Sequence, residues 1–250
     1  RLGGEWVGGG DSQARAVSSH GEDDIATREY RNGDDLRKVH WRSTARTGKM
    51  MVRREEQPWQ SRAVIFLDTR ASAHRGDGPG SSFEWAVSAA ASVTVSLARH
   101  GYAMRLVTDA GADIAAPPGL LAEGALLDFL AEVQPSKADT LSPAIERLRH
   151  SAMEGLAVGI LGLLEPGEAE MLARARTGSS TGLAVLLDAN TWIGLSGKGR
   201  ADSEARFDAS ARMLLQGGWR VLEAGRGVSI STLWSQAGSR PLNRSRVGAS

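Results

Sequence analysis

The segment DTRAS, Asp68 to Ser72, places an acid and a hydroxyl four residues apart at the end of an apolar run, RAVIFLD. Carboxylate and hydroxyl oxygens at alternating positions form a cup for a hard cation, because Mg²⁺ prefers oxygen ligands in near-octahedral geometry. Asp68 and Ser72 would supply two such ligands, and Thr140 a third from a later loop. The middle position is Arg70, which brings a fixed positive charge and no lone pair. The first acids after another apolar run, LAVGILGLL, are Glu165 and Glu168, on or beyond a proline-containing turn, so no second carboxylate is evident. The cup of Asp68, Ser72 and Thr140 is degenerate, and no metal is expected in it. In the plainer reading Asp68 accepts backbone hydrogen bonds at a strand end or pairs with Arg70.

A second dense stretch, REYRNGDDLRKVHWRSTARTGKMMVRREEQPW, carries nine basic residues and five acids between Arg28 and Trp59. Arginines beside aromatic rings can hold phosphates and stack bases. Glu29, Asp34, Asp35, Glu55 and Glu56 would repel a phosphate backbone, and no second basic stripe accompanies them. Interleaved signs instead favour arginine–carboxylate forks and an internally paired scaffold. Arg28, Glu29, Asp34, Asp35, Trp41 and Arg46 are therefore expected to be engaged within the protein. Asn32-Gly33 reads as a turn, with Asp34 or Asp35 capping a helix from Leu36 to Ala45. Thr47-Gly48 ends that helix, and KMMVRREE reads as extended.

Other chemistries find little support. There is no cysteine among the 250 residues, which excludes disulfides, thiol nucleophiles and thiolate metal sites. His20, His40, His74, His100 and His150 lack metal-ligand spacing, and neither a phosphate-binding loop nor a dinucleotide fingerprint is present. GSSFEW and TGSSTG lack the strand-to-helix pattern of a nucleophile elbow. A metal-dependent or dispersed-site hydrolase stays as the alternative from the enzyme class, and nucleic-acid binding as the alternative from the charged stretch. With 30 basic against 29 acidic residues, no global field selects a polyanion. No apolar run reaches the roughly 18 residues needed to span a bilayer. A chain opening at Arg1 is expected to be part of a longer protein.

The elements that must position these residues alternate. Strands are expected at the apolar runs ending at Asp68, Thr108, Leu164 and Asp188, and at WRVLEA. Helices are expected from Ser81 or Ser82, over Leu120 to Val133, Thr140 to Arg149, Pro166 to Arg176 and Ser203 to Gln216, with another around Leu233–Trp234. Short, nearly continuous apolar strands alternating with amphipathic helices indicate a mostly parallel sheet covered on both faces, a three-layer α/β domain. The organisation read from this is a linker or surface segment at 1–27, a charged helix-turn module at 28–60 and the α/β domain at 61–250.

The charged stretch also resembles a known family, the bacterial domain of unknown function numbered 58. The resemblance rests on Arg28-Glu29-Tyr30, on Gly33-Asp34-Asp35 with Arg37 after it, on His40-Trp41, and on Ala45-Arg46-Thr47-Gly48. It implies a von Willebrand factor A-like, Rossmann-like domain whose metal motif, Asp-x-Ser-x-Ser with a distant Thr and Asp, is matched here only at Asp68, Ser72 and Thr140. It also implies a membrane-anchored protein of which this chain is the soluble, cytoplasmic portion. The function implied is that of a non-enzymatic adaptor, without cofactor, working with a MoxR-type AAA+ ATPase and near a transglutaminase-like membrane protein.

Overall fold

The computed structural model describes residues 27–30, 39–53, 61–150, 155–175, 180–194 and 196–237. The chain divides into two units, one of them Gly9–Gln60 and the other containing Ser61–Ser250. Gly33, Asp34, Asp35 and Arg37, the segment before Thr27 and the tail after Ala237 lie outside the described residues.

In the smaller unit, β1 (Thr27–Glu29) pairs antiparallel with β2 (Met51–Arg53). Val39 adds an isolated bridge to Val52, and both side chains are buried. Helix α1 spans Trp41–Thr47, and His40 caps it by accepting the Ser43 N–H on Nδ1 at 3.3 Å. Gly48, at φ 69°, ends it by donating to the Thr44 carbonyl. The helix expected over Leu36 to Ala45 is therefore interrupted at Val39 and His40, and residues 36–38 lie outside the described residues. Val39 and His40 are held extended against β2, with His40 N–H donating to the Met51 carbonyl, and an extended backbone cannot also be helical.

In the larger unit, β3 (Arg62–Leu67) is followed by α2 (Ser82–Arg99), β4 (Ala103–Thr108) and β5 (Asp113–Ala116). Then come α3 (Leu120–Glu132), α4 (Ser142–His150), β6 (Leu156–Leu161) and α5 (Pro166–Ala175). The unit closes with β7 (Thr181–Leu187), α6 (Gly197–Gln216), β8 (Trp219–Ala224) and α7 (Ile230–Ala237). The sheet order is β5-β4-β3-β6-β7-β8, parallel throughout except for the antiparallel edge strand β5.

Strand β3 shows why the sheet has two covered faces. Ala63, Ile65 and Leu67 join the α2, α3 and α7 side of the core, with Ala90, Val93, Leu126 and Trp234. Val64 and Phe66 join the opposite side, with Ile145 and Leu148 of α4, Leu172 of α5 and Leu214 of α6. Successive strand residues point to opposite faces, so a run buried on both must be apolar at every position.

In the larger unit β5, β6 and α6 differ from the sequence reading, β6 ending at Leu161 rather than Leu164. Strand β5 is absent from that reading, because four residues of mixed exposure give too short a period to read. The Arg105 fork on Asp113, at 2.6 and 2.5 Å, ties β5 to β4. Helix α6 starts at Gly197, six residues before the expected Ser203. Its added turns are mostly exposed and carry an Arg200–Glu204 pair at i,i+4 instead of an apolar stripe.

Gly182 in β7 has no room for a side chain. A Cβ there would lie 2.7 Å from Cδ2 of Trp219, its register partner on β8, whose ring is buried. Alanine in a strand ordinarily gains over glycine by entropy, so the sign of the effect is diagnostic. Gly182→Ala is expected to destabilise the protein by about 1–3 kcal/mol through overpacking, read from urea denaturation. A stabilised variant would show that the Trp219 ring yields freely.

Candidate functional site

Strand order reverses between β3 and β6, and in open parallel sheets the crevice outside the strand carboxyl ends opens at such a point. Asp68 ends β3 there, and it is fully buried, as are Thr69 and all but 3% of Arg70. The Arg70 guanidinium lies between two carboxylates. Its Nε and Nη2 donate to Asp68 Oδ1 and Oδ2, both at 2.9 Å. Nη1 donates to Glu168 Oε1 and Oε2 at 3.0 and 3.1 Å, and Nη2 also reaches the Leu163 carbonyl at 3.2 Å.

Each carboxylate is held by further donors. Asp68 Oδ1 accepts the Arg70 N–H, and Oδ2 accepts the N–H of Gly162 just beyond β6. Gly162 is needed there, because a Cβ would meet the Ala73 carbonyl oxygen at 2.5 Å. Glu168 is the third residue of α5, and it accepts the Glu165 N–H one turn back, the reach of a capping box. It also accepts from the Leu141 N–H at 2.8 Å and the Thr140 hydroxyl at 3.1 Å. Burial alone would lower the proton affinity of Arg70. The hydrogen bond and charge of Asp68, followed by those of Glu168, outweigh it and hold the guanidinium above its ordinary pKa.

The loop between α3 and α4 crosses the same crevice. Ser136 forms a parallel bridge with Arg70, donating its N–H to the Thr69 carbonyl at 2.7 Å and accepting from Ala71 N–H at 2.9 Å. Its hydroxyl donates to Asp109 Oδ2. Asp109, at the end of β4, also accepts the Thr69 N–H and hydroxyl on Oδ1, at 2.5 and 2.8 Å.

His74 braces the turn from below. Its Nε2 donates to the Asp68 carbonyl at 2.8 Å, which leaves Nδ1 to accept from the Ser82 hydroxyl at 3.2 Å. Ser82 Oγ in turn accepts the Arg75 N–H at 2.8 Å, and Ser81 is the residue that caps α2. Burial lowers the His74 pKa below its ordinary value, against the opposing charge and backbone hydrogen bond of Asp68. Ser82 and His74 form a serine–histidine contact, but Ser82 has no exposed surface.

The sequence-predicted cup is only partly assembled. Asp68 and Arg70 pair, as in the plainer reading. Ser72 is exposed on the short 3-10 turn Ala71–Ala73, and Thr140 reaches the cluster only through Glu168. The residues present do not fit a divalent cation: every carboxylate oxygen of Asp68 and Glu168 already accepts hydrogen bonds. Among the described residues no group of three or more His, Cys, Asp or Glu side chains is placed to hold a metal. Glu168, Asp109, Ser136 and His74 were not foreseen as partners. Asp109 carries the same signal as Asp68, an acid ending an apolar strand, and Glu168 follows Pro166 at a capping-box position.

In the smaller unit the expectation of engaged side chains needs correction at Trp41 and Arg46, while Asp34, Asp35 and the Arg28 side chain lie outside what is described. Trp41 is 69% exposed and Arg46 is exposed, since α1 has no buried residues. Two turns of helix against a three-residue ladder leave most of its circumference in solvent. Glu29 does pair, with Lys49 at 2.6 Å on the surface, and its hydrogen bond and charge raise the Lys49 pKa. Arg28 takes part through its backbone, opposite Val52, while Thr44 Oγ1 accepts the Met51 N–H and Thr47 Oγ1 donates to the Ser43 carbonyl.

The lowered His74 pKa fixes the direction of a pH effect. Unfolded chain takes up the proton near pH 6.5 and the native form only at lower pH, so this contribution is complete above about pH 6.5 and lost as pH falls below it. The melting temperature of the wild type is expected to drop more between pH 7 and pH 5 than that of His74→Gln. Equal slopes would remove His74 from the account.

Residues 26–192 match the model of a family described as Protein of unknown function DUF58. No curated protein matches the chain. The matched residues run from β1 through the whole Arg70 cluster to the end of the turn after β7, well over half of the sequence. The chain belongs to the family Protein of unknown function DUF58.

Proposed function

We propose that this chain is a non-enzymatic protein-interaction domain, a von Willebrand factor A-like sheet that presents its strand tips to a partner without a divalent cation. The observation that carries the reading is the saturation of the Arg70 cluster. Asp68, Glu168 and the guanidinium are occupied with one another and with backbone groups, at the point of the sheet where a ligand crevice would open. Parallel strand order, polar residues gathered at the strand tips and family membership support the same reading.

The finer assignments follow the family resemblance. They make the chain part of a membrane-anchored bacterial adaptor whose partner is a MoxR-type AAA+ ATPase, with a transglutaminase-like membrane protein in the same system. No helix among the described residues is long and apolar enough to cross a membrane, so an anchor would lie elsewhere.

Two measurements test the two halves of this proposal separately. Immobilised chain is expected to retain a purified MoxR-type ATPase, with or without nucleotide; no retention in either state would remove that partner. Calorimetric titration with Mg²⁺ or Mn²⁺ is expected to show no stoichiometric binding. Tight binding that disappears in Asp68→Ala would overturn cation independence and leave the partner assignment standing.

A further inference from the structure

We infer that the Arg70 guanidinium is the resident cation of the strand-tip crevice, a tethered charge in the place that an exchangeable cation would otherwise take. Two features carry this. First, the guanidinium uses one edge for Asp68 and its remaining nitrogen for Glu168, so a single positive group separates two buried carboxylates. Second, both carboxylates are fixed by donors other than that side chain. Asp68 is held by the N–H groups of Arg70 and Gly162, and Glu168 by the N–H groups of Leu141 and Glu165 and the Thr140 hydroxyl. Removing the Arg70 side chain therefore leaves Asp68 and Glu168 facing one vacated, buried volume, with the Leu163 carbonyl freed beside them.

Two carboxylates cannot both stay ionised around such a gap unless a cation enters. Of the charged or titratable groups bonded to the same turn, Asp109 is acidic, burial disfavours protonation of His74, and the Arg75 guanidinium donates to the Ser72 and His74 carbonyls. Two carboxylate edges and a carbonyl are oxygen ligands of the kind a hard divalent cation takes. In the native chain the arginine excludes such an ion by occupying its ligands, which makes the crevice insensitive to divalent cations.

The test is thermal unfolding of Arg70→Ser and Arg70→Lys beside the wild type, in chelator-treated buffer and after adding Mg²⁺, Mn²⁺ or dilute guanidinium chloride. Sodium chloride at equal ionic strength is the baseline. Arg70→Ser is expected to melt about 10 °C lower than the wild type. At least one of the three cations is expected to recover part of that loss, and adding Asp68→Asn is expected to abolish the recovery. Arg70→Lys keeps the charge without the fork and is expected to fall between the two. Should Arg70→Ser not fold, refolding in each cation decides: a native circular dichroism spectrum only with cation supports the inference, and none with any cation overturns it. It is equally overturned by a serine variant as stable as the wild type, by a loss indifferent to all three cations, by a lysine variant no better than serine, or by a wild type that gains as much from them.

Discussion

A buried guanidinium shared by two buried carboxylates sets the terms for the carboxyl end of this sheet. Withdrawing three ionised groups from water costs several kcal/mol each, and their mutual attraction offsets this only where the geometry is good and the remaining lone pairs are filled. Both conditions hold. The fork on Asp68 is bidentate, and backbone N–H groups from four separate residues complete the carboxylates. One carboxylate remains in excess, and its neighbours lower the cost. Glu168 sits at the first turn of α5, where unpaired N–H groups and the helix dipole favour negative charge. The loops after β3, before α4 and after β6 all meet at this cluster, so their conformations follow from it.

The fold places a crevice at the switch point and the local sequence fills it. Parallel strands deliver Asp68 and Asp109 to neighbouring tips, and the loop after α3 lies across them through the bridge between Ser136 and Arg70. Asp109 then holds that loop by the Ser136 hydroxyl and holds Thr69 twice. Architecture alone would suggest a ligand site here. The side chains instead form a closed, buried polar network. Charge that other arrangements would recruit from solution is supplied by the chain itself.

Much of the architecture was legible in the sequence because strands covered on both faces must be apolar at every position. Ala63 to Leu67, Leu156 to Leu161 and Gly182 to Leu187 are uninterrupted runs of buried residues. Strand β5 was not, because an edge strand of four residues satisfies its pairing with backbone bonds and one surface fork. At the site, the Asp68–Arg70 contact could be read because the partners lie two residues apart. Glu168 was discounted for the same reason in reverse: proximity across the sheet depends on which strands are neighbours, and no local pattern states that. Charge alternation from Arg28 to Glu56 favours forks paired within the protein. Alternating signs satisfy solvated pairs such as Lys49–Glu29 equally well, and Trp41 shows that an aromatic among charges need not be covered.

The two arms of Arg70 span very different lengths of chain. Asp68 is two residues away and within reach even in a disordered polypeptide, whereas Glu168 is 98 residues away. Closing a loop costs about 0.6 kcal/mol more for each doubling of its length. The short arm therefore does little to distinguish folded from unfolded chain, and the long arm does most of it. In terms of chain entropy the guanidinium is a non-covalent cross-link: its hold on Glu168 and on the Leu163 carbonyl records that β3 and β6 have become neighbours.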